Sequence, residues 1–190
     1  MKRILIIGNA GSSKTTFAKR LAEKLDLPLI HLDRLYWCGD WEHLSRDEFD
    51  TLLQAELEKP QWIIDGNFNR TIPHRLQYCD TVFFFDLPTL TCLAGITKRT
   101  LLNYGKSRND MGGNCTERFD LWRYIFSTSK YTSTPSCFSS SQACKNWSVF
   151  RPKRLIDFTS IKSILPDRQS SIILWKSRIF ALCRLDASSA

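Results

Sequence analysis

The sequence predicts an α/β fold in which a parallel sheet is flanked by crossover helices. Short apolar runs alternate with amphipathic helical patterns through residues 1–120, and this alternation is typical of a parallel sheet. The first apolar run opens onto a loop of small residues, and a helical pattern follows that loop directly. In open sheets of this class, ligands bind at the carboxyl ends of the strands. Candidate functional residues are therefore expected where the predicted strands end.

The individual elements follow from local patterns. Apolar runs bounded by turn residues predict strands, and apolar residues at three- and four-residue spacing predict helices. Ser45 and Glu48 form a capping box, which marks the start of the second helix. Strands are predicted at 3–7, 27–32, 62–64, 81–85 and 172–175, and helices at 14–25, 46–57 and 89–104.

The loop after the first strand has the spacing of a phosphate-binding loop. Residues from Gly8 to Thr15 fit the pattern G-x-x-x-x-G-K-[ST], except that Ser13 replaces the second glycine. In such a loop, backbone N–H groups and a helix N-terminus surround a polyphosphate. Lys14 would reach the β- and γ-phosphates, and the Thr15 hydroxyl would coordinate Mg²⁺. The predicted ATP-binding residues are Gly8, Asn9, Ala10, Gly11, Ser12, Ser13, Lys14, Thr15 and Thr16.

A loop of glycine and serine can also join a strand to a helix without binding a ligand. Lysine and threonine at the mouth of the helix favour the phosphate-binding interpretation. The side chain of Ser13 could crowd the phosphates or strain the loop, since glycine is the residue that adopts left-handed backbone without strain.

Three predicted strands end in an aspartate, namely Asp33, Asp65 and Asp86. Because the carboxyl ends of parallel strands share one edge of the sheet, these carboxylates should line one crevice beside the loop. Asp33 could orient or deprotonate an acceptor hydroxyl, hold Mg²⁺ through water, or cap the segment that follows. Asp65 or Asp86 could hold the metal indirectly, through water bound to it, and the residues alone do not decide between them.

Arginines complete the set of groups that phosphoryl transfer requires. Arg70 and Arg75 follow the 62–64 strand within one loop and could clamp an acceptor phosphate or carboxylate. A later stretch, about residues 105–118, combines glycines with basic residues, as a lid that closes over phosphates does. The arginines in and before this lid are Arg99, Arg108 and Arg118.

Charge and composition change near residue 120. Residues 1–120 contain 16 Lys+Arg and 16 Asp+Glu, whereas residues 121–190 contain 11 Lys+Arg and only three acids. The net charge of +8 therefore comes from the second part, which also holds 15 serines against four in the first. A basic tail can contact nucleic acid. Low-complexity disorder, or a coding segment read out of register, explains the same facts and is favoured.

The seven cysteines are scattered, without a C-x-x-C pair, and are expected to be reduced thiols rather than zinc ligands. The three histidines show no metal-ligand spacing, and no catalytic role is predicted for them. No run of about 18 apolar residues is present, so no membrane span is expected. The basic N-terminus leads into a strand that the fold needs rather than a signal peptide. These features predict a cytoplasmic protein. A monomer is expected, but the sequence does not determine the oligomeric state.

Five ordered motifs resemble the adenylate-kinase-like P-loop proteins, especially the bacterial topology modulation (FlaR-like) proteins. The motifs are IIGNAGSSKTTFAKRLAEKL, LPLIHLDRLYW, WIIDGNFNRTIPHRL, DTVFFFDLP and KSRNDMGGNCTERFDL. The likeness covers residues 1–121, which would form the core domain with its lid. Residues 122–190 depart from it as a serine-rich, basic region, with a weak likeness resuming at the 172–175 strand.

The resemblance implies a three-layer P-loop fold with a parallel five-stranded sheet in the order 2-3-1-4-5, and a site for ATP and Mg²⁺. By that likeness Asp65, Gly66 and Arg70 fall at acceptor positions, and the arginines at 99, 108 and 118 match lid and lid-flanking positions. The predicted assignments are Lys14, Asp33, Arg99, Arg108 and Arg118 for catalysis, Thr15 and Asp86 for the metal, and Asp33, Asp65, Gly66, Arg70 and Arg75 for the acceptor.

The leading functional hypothesis is a small kinase that transfers the ATP γ-phosphoryl group to a nucleotide or another small acceptor. A non-catalytic nucleotide-binding protein with a DNA-related role is the first alternative. An inactive, degenerate paralogue is the second, with Ser13 and the altered tail as its marks.

Overall fold

In the computed structural model, the chain is described at residues 1–39, 41–106, 112, 115, 150–152 and 178–184. The predicted strand at 172–175, Arg108, Arg118 and most of the predicted lid lie outside these residues. So does nearly all of the serine-rich region. The statements below concern the described residues.

The architecture is α/β, with a central sheet that is parallel in four strands. These strands are β1 (Arg3–Gly8), β2 (Leu29–His31), β5 (Trp62–Asp65) and β6 (Thr81–Asp86). Their order in the sheet is β2-β5-β1-β6, and all three pairings between neighbours are parallel. This confirms the predicted parallel α/β sheet.

Two antiparallel strands extend the sheet beyond β6. They are β8 (Arg178–Arg184), which pairs with β6, and β7 (Phe150–Pro152), which pairs with β8. The position beside β6 that a fifth parallel strand would occupy is therefore held by an antiparallel one. The prediction of a fifth parallel strand at 172–175 is not tested, because those residues lie outside the described part of the chain.

Helices cover both faces of the sheet. The helices are α1 (Lys14–Leu25), α2 (Leu32–Tyr36), α3 (Arg46–Leu57), α4 (Ile72–Tyr78) and α5 (Thr89–Asn103), and a 3₁₀ turn (Asn69–Thr71) precedes α4. A short hairpin of β3 (Trp37–Gly39) and β4 (Glu42–His43) joins α2 to α3.

The core is divided by the sheet into two apolar clusters. On one face, side chains of α1 and α5 pack against β1, β5 and β6, with Phe17 in edge-to-face contact with Phe83 and Phe85. On the other face, α3 and α4 pack against alternate residues of the same strands, with Trp62 and Phe49 fully buried. Successive residues of β1 contribute side chains to the two clusters in turn, because successive strand residues point to opposite faces of the sheet.

This arrangement brings three loops to one edge of the sheet. The segments after β1, β2 and β5 all leave from the carboxyl ends of neighbouring parallel strands. Asp65 is the last residue of β5, as predicted for a strand-end carboxylate. Asp33 is not a strand-end residue, because β2 ends at His31 and Asp33 lies in the first turn of α2. None of the described helices is both long and apolar enough to cross a bilayer.

Candidate functional site

The loop between β1 and α1 (residues 9–13, the β1–α1 loop) is held in a shape that requires small residues. Gly8 has φ 143° and Gly11 has φ 76°, both in the region that favours glycine. A Cβ atom on Gly8 would lie 2.5 Å from the Phe85 carbonyl oxygen, and one on Gly11 would lie 2.1 Å from the Cys92 carbonyl oxygen. The loop is thus wedged between β6 and α5, and side chains at these positions would displace it.

Ser13, the residue that replaces the expected glycine, also adopts left-handed backbone. Its φ of 64° and ψ of 20° place it in the αL region at the N-cap of α1. Its side chain does not cap the helix, while its carbonyl oxygen accepts the first helical hydrogen bond from the Phe17 amide at 3.1 Å. The N–H groups of the first turn have no acceptor within the helix, so they can bind an anion at the loop.

Lys14 folds back over the β1–α1 loop. Its Nζ donates to the Asn9 carbonyl oxygen at 2.7 Å, and the Ser12 amide donates to the same oxygen at 3.3 Å. Burial lowers the pKa of Lys14, and Asp65 and Asp33 oppose this by raising it, whereas Arg99 lowers it further. The ammonium is therefore poorly solvated, and two carboxylates and one guanidinium lie close enough to influence its charge.

Asp65 is the carboxylate at the centre of the site. Its Oδ2 accepts a hydrogen bond from Thr15 Oγ1 at 2.8 Å and lies 3.3 Å from His31 Nδ1. Its side chain is 6% exposed, and Oδ1 is buried without a hydrogen-bond partner among the described residues. A buried carboxylate oxygen in this state is costly unless a cation or donor completes it. The Ser12 hydroxyl of the β1–α1 loop, fully buried, is likewise unpartnered within the described part of the chain.

The loop after β5 (residues 66–71, the β5–α4 loop) supports the β1–α1 loop. The Gly8 amide donates to Asn67 Oδ1 at 3.0 Å, which ties the two loops together. Gly66, at φ 146°, passes close to α2, since a Cβ there would lie 2.8 Å from Leu32 Cβ. Gly66 therefore has a packing role that a larger residue could not fulfil.

Arg75 lies inside the protein rather than in the crevice. It is fully buried, and its guanidinium donates to the carbonyl oxygens of Gly66, Asn67 and Phe68 and to the Thr71 hydroxyl. Burial lowers its pKa to about 9. This geometry corrects the prediction that Arg75 clamps an acceptor: its donors hold the backbone of the β5–α4 loop.

Arg70 lies on the surface in a bidentate ion pair. Its two terminal nitrogens donate to the two carboxylate oxygens of Asp50, each at 2.7 Å. The hydrogen bond from Arg70 is the main cause that lowers the pKa of Asp50. The guanidinium that was predicted to bind the acceptor is therefore bonded to α3 in this structure.

Asp33 approaches the site from α2. The charge of Asp33 raises the pKa of Lys14. Leu32 is in the core and Tyr36 packs against it, whereas Asp33 is only partly buried and Trp37 is the first residue of β3. Gly112, from the predicted lid, lies against the end of α2, since a Cβ there would be 1.7 Å from the Trp37 carbonyl oxygen.

The remaining predicted residues fall outside this cluster or cannot be located in it. Thr16 is exposed on α1, and Ala10 lies within the β1–α1 loop. Asp86 ends β6 opposite Arg178 of β8, and its side chain is not among those described. The described residues contain no group of three or more His, Cys, Asp and Glu side chains arranged to hold a metal.

Sequence reasoning missed His31 and Asn67. His31 ends β2 beside Asp65 because the two residues are paired in the parallel register of β2 and β5. The position of His31 at the end of a predicted strand could have indicated its place beside Asp65, since the carboxyl ends of neighbouring parallel strands lie at the same edge of the sheet. The Asn67 contact with Gly8 had no signal in the spacing of the sequence.

The chain matches no protein-family model, and no curated protein matches it.

Proposed function

We propose that the chain binds ATP with Mg²⁺ at the β1–α1 loop and transfers the γ-phosphoryl group to a small acceptor, in the manner of a nucleotide kinase. The observation that carries this proposal is the contact between Thr15 and Asp65 beside a buried, unpartnered carboxylate oxygen. This contact lies at the N-terminus of α1, next to Lys14. Burial removes water from the Lys14 ammonium and lowers its pKa.

The β1–α1 loop fits a polyphosphate in its backbone and in its charge. Left-handed turns at Gly11 and Ser13 allow successive amides to point into one hollow, as in anion-binding nests. Lys14 needs only to exchange one neutral acceptor, the Asn9 carbonyl oxygen, for phosphate oxygens. Charge-assisted hydrogen bonds are stronger than neutral ones, so this exchange is favourable.

The donor set beside the loop fits Mg²⁺. Hydroxyl and carboxylate oxygens are ligands that Mg²⁺ prefers, and it usually retains several waters in such sites. Thr15 would supply the direct protein ligand, and Asp65 would hold coordinated water through the oxygen that now lacks a partner. When bound, Mg²⁺ neutralises charge on the β- and γ-phosphates. The contact with Thr15 favours Asp65 over Asp86 for this role.

The order of the parallel strands supports the interpretation that the fold resembles that of nucleotide kinases. Counted along the chain, the four parallel strands of the main sheet have the order 2-3-1-4, the first four places of the predicted 2-3-1-4-5 order. The charge of Arg99 lowers the pKa of Lys14, and the same charge would act on phosphates bound by Lys14. Arg108 and Arg118, outside the described residues, remain candidates for the lid.

Asp33 is the candidate base for the acceptor. Its charge raises the pKa of Lys14, whose ammonium would contact the γ-phosphate, and it belongs to the short helix that follows β2. A carboxylate there can orient an acceptor hydroxyl and accept its proton, a contribution of typically about 100- to 10,000-fold in rate.

The test is ADP formation by the full chain with ATP, Mg²⁺ and a panel of nucleosides and nucleoside monophosphates, corrected for hydrolysis. We expect at least one acceptor to raise ADP release, and ATP with Mg²⁺ to raise the melting temperature. Asp33→Asn should abolish acceptor-dependent release and leave the thermal shift intact. Asp47→Asn, which changes an exposed acid in the first turn of α3, is the matched control. Absence of both turnover and thermal shift would overturn the proposal.

One observation favours the non-catalytic alternative. Ser13 adopts αL backbone with a side chain at the position where glycine was expected, and that side chain makes no cap hydrogen bond. A loop strained in this way would bind nucleotide weakly and transfer phosphate slowly. The Ser13→Gly comparison described below separates the two possibilities.

A further inference from the structure

We infer that His31 is a positioning residue for magnesium: its Nδ1 holds one oxygen of Asp65, so that the other oxygen can meet water bound to the metal. This inference rests on the proposed function and deepens it at the same site. It comes from the hydrogen bonds around the Asp65 carboxylate and from the pairing of the two strands that carry these residues.

The sheet itself places His31 beside Asp65. Each is the last residue of its strand, and the two are partners in the parallel register of β2 and β5. Neighbouring strands lie about 4.8 Å apart, so paired residues at the strand ends are held close together. The imidazole is 12% exposed and the carboxylate 6%. The contact therefore depends on the backbone of the sheet and not on a loop.

Two donors from different elements meet on the same oxygen of Asp65. Its Oδ2 accepts a hydrogen bond from Thr15 Oγ1 at 2.8 Å and lies 3.3 Å from His31 Nδ1. An ionised carboxylate only accepts hydrogen bonds, so the imidazole nitrogen that faces it carries a proton. The last torsion of an aspartate side chain is broad, and a single donor restricts it little. A second donor, fixed on β2, restricts it further.

The orientation of Asp65 matters for the two oxygens that would meet magnesium or its water. Thr15 has one hydroxyl proton, which is used in the bond to Asp65, so the lone pairs of that hydroxyl can face a metal ion. Asp65 Oδ1 is buried and has no hydrogen-bond partner among the described residues. A carboxylate that rotated away from Thr15 would misplace Oδ1 and leave the hydroxyl proton without its acceptor. His31 opposes that rotation.

The expected effect of losing His31 is smaller than that of losing Asp65. The distance of 3.3 Å is slightly longer than a typical N–H···O hydrogen bond. Loss of a group that orients a metal ligand weakens metal binding about ten- to 100-fold, and His31 acts one contact further from the metal, so we expect a loss of about three- to tenfold.

Calorimetric titration of the full chain with ATP, in Mg²⁺ and in EDTA, tests this role. His31→Leu removes the donor at similar volume, and it should weaken binding about three- to tenfold in Mg²⁺ while the affinity in EDTA stays unchanged. His31→Asn, whose side-chain amide can replace the Nδ1–H donor, should restore most of the affinity. His74→Leu removes an exposed histidine that is hydrogen-bonded to Gln54, and this matched control should bind as the wild type does.

A double-mutant cycle shows whether His31 acts through Asp65. In an Asp65→Asn background, His31→Leu should cause no further loss of Mg²⁺-dependent affinity, because the carboxylate that it positions is already absent. A merely structural role would weaken ATP binding equally in Mg²⁺ and in EDTA.

Nitrogen NMR of the chain labelled with ¹⁵N-histidine examines the contact without nucleotide. The spectrum should show a proton on Nδ1 of His31, with the signal identified by its loss in His31→Asn. Because the spectrum is recorded on the wild type, it tests the contact even where His31→Leu fails to fold.

The outcomes separate this inference from the proposed function. His31→Leu that binds ATP with Mg²⁺ as the wild type does, or that loses equal affinity in Mg²⁺ and in EDTA, would overturn the inference and leave ATP binding standing. A full additional loss in the Asp65→Asn background, or a His31 ring without a proton on Nδ1, would do the same. Absence of ATP binding by the wild type would overturn the proposed function and, with it, this inference.

Discussion

On the side of the β1–α1 loop, the described structure leaves buried polar atoms without partners, whereas on the side of the β5–α4 loop the cations are bonded to the protein itself. Asp65 Oδ1 and Ser12 Oγ belong to the first group, and Arg70 and Arg75 to the second. A buried polar atom without a partner is costly and needs an explanation, such as a functional role or a bound water or ion. The comparison supports the proposed ligand site on the first side, whereas the arginines of the second side are bonded within the protein.

The largest expected effect concerns the two arginines. Arg75→Met should lower the free energy of unfolding by about 3 kcal/mol, because three carbonyl oxygens and a hydroxyl lose their donors in a buried place. Arg70→Met should cost less than about 1 kcal/mol, since its ion pair with Asp50 is exposed. Urea unfolding of the two variants measures the difference.

Equal costs for Arg75→Met and Arg70→Met would remove the distinction between the buried and the surface arginine. Arg75→Lys provides a further check, because it keeps the charge but cannot reach as many carbonyl oxygens at once. It should recover only part of the stability.

A second prediction addresses Asp65. If Asp65 holds metal-bound water as proposed, Asp65→Asn should weaken ATP binding in the presence of Mg²⁺ about ten- to 100-fold, because that contact is lost. Binding of ATP without Mg²⁺ should stay equal or become tighter, since a negative charge near the phosphates is removed. Isothermal titration with Mg²⁺ and with EDTA measures both affinities.

A matched pair of hydroxyl variants tests the same feature. Thr15→Val should lose the Mg²⁺-dependent part of the affinity, and Thr16→Val, which changes the exposed neighbour, should not. If Asp65→Asn weakened ATP equally with and without Mg²⁺, the carboxylate would be supporting the loop and not the metal.

The smallest expected effect concerns Ser13. Ser13→Gly should raise the free energy of unfolding by about 1 kcal/mol, because glycine adopts αL backbone without the Cβ penalty. Asp26 at the other end of α1 is the matched control, since it is also left-handed, with φ 52°. Asp26→Gly should also raise the free energy of unfolding, but by less than Ser13→Gly, because aspartate tolerates αL backbone better than serine does.

Only Ser13→Gly should also tighten ATP binding, by about tenfold or 1.4 kcal/mol, if the side chain obstructs the loop. Unchanged ATP affinity in Ser13→Gly would show that the serine is accommodated and would remove the argument for an impaired site.

The parts of the fold that the sequence predicted best are those with strong local signals. Helices α1 and α3 begin and end at the predicted residues, because an amphipathic pattern and, for α3, the capping box of Ser45 and Glu48 mark them. The parallel order follows from alternating strands and helices. Helix α2 was missed because five residues are too short to show a period, and Asp33 was therefore misplaced at the end of a strand.

In the candidate site, too, the residues with local sequence signals could be predicted and the others could not. The cluster of Lys14, Thr15 and Asp65 could be predicted, because loop spacing and strand ends determine it. The burial of Arg75 could not, since its partners are backbone carbonyl oxygens whose positions depend on the tertiary fold. The antiparallel pairing of β8 was also beyond prediction, because an apolar run does not reveal the direction of a strand at the edge of a sheet.

The central claim is that the β1–α1 loop binds ATP through Lys14, and calorimetric titration of the full chain with ATP and Mg²⁺ tests it most directly. Lys14→Met should weaken binding by about 100-fold or more, the value of a charge-assisted hydrogen bond to phosphate. It should not lower the melting temperature, because burial already disfavours the ammonium. Lys19→Met, an exposed lysine on the same helix, should bind as the wild type does. No binding by the wild type, or equal binding by Lys14→Met, would contradict the account.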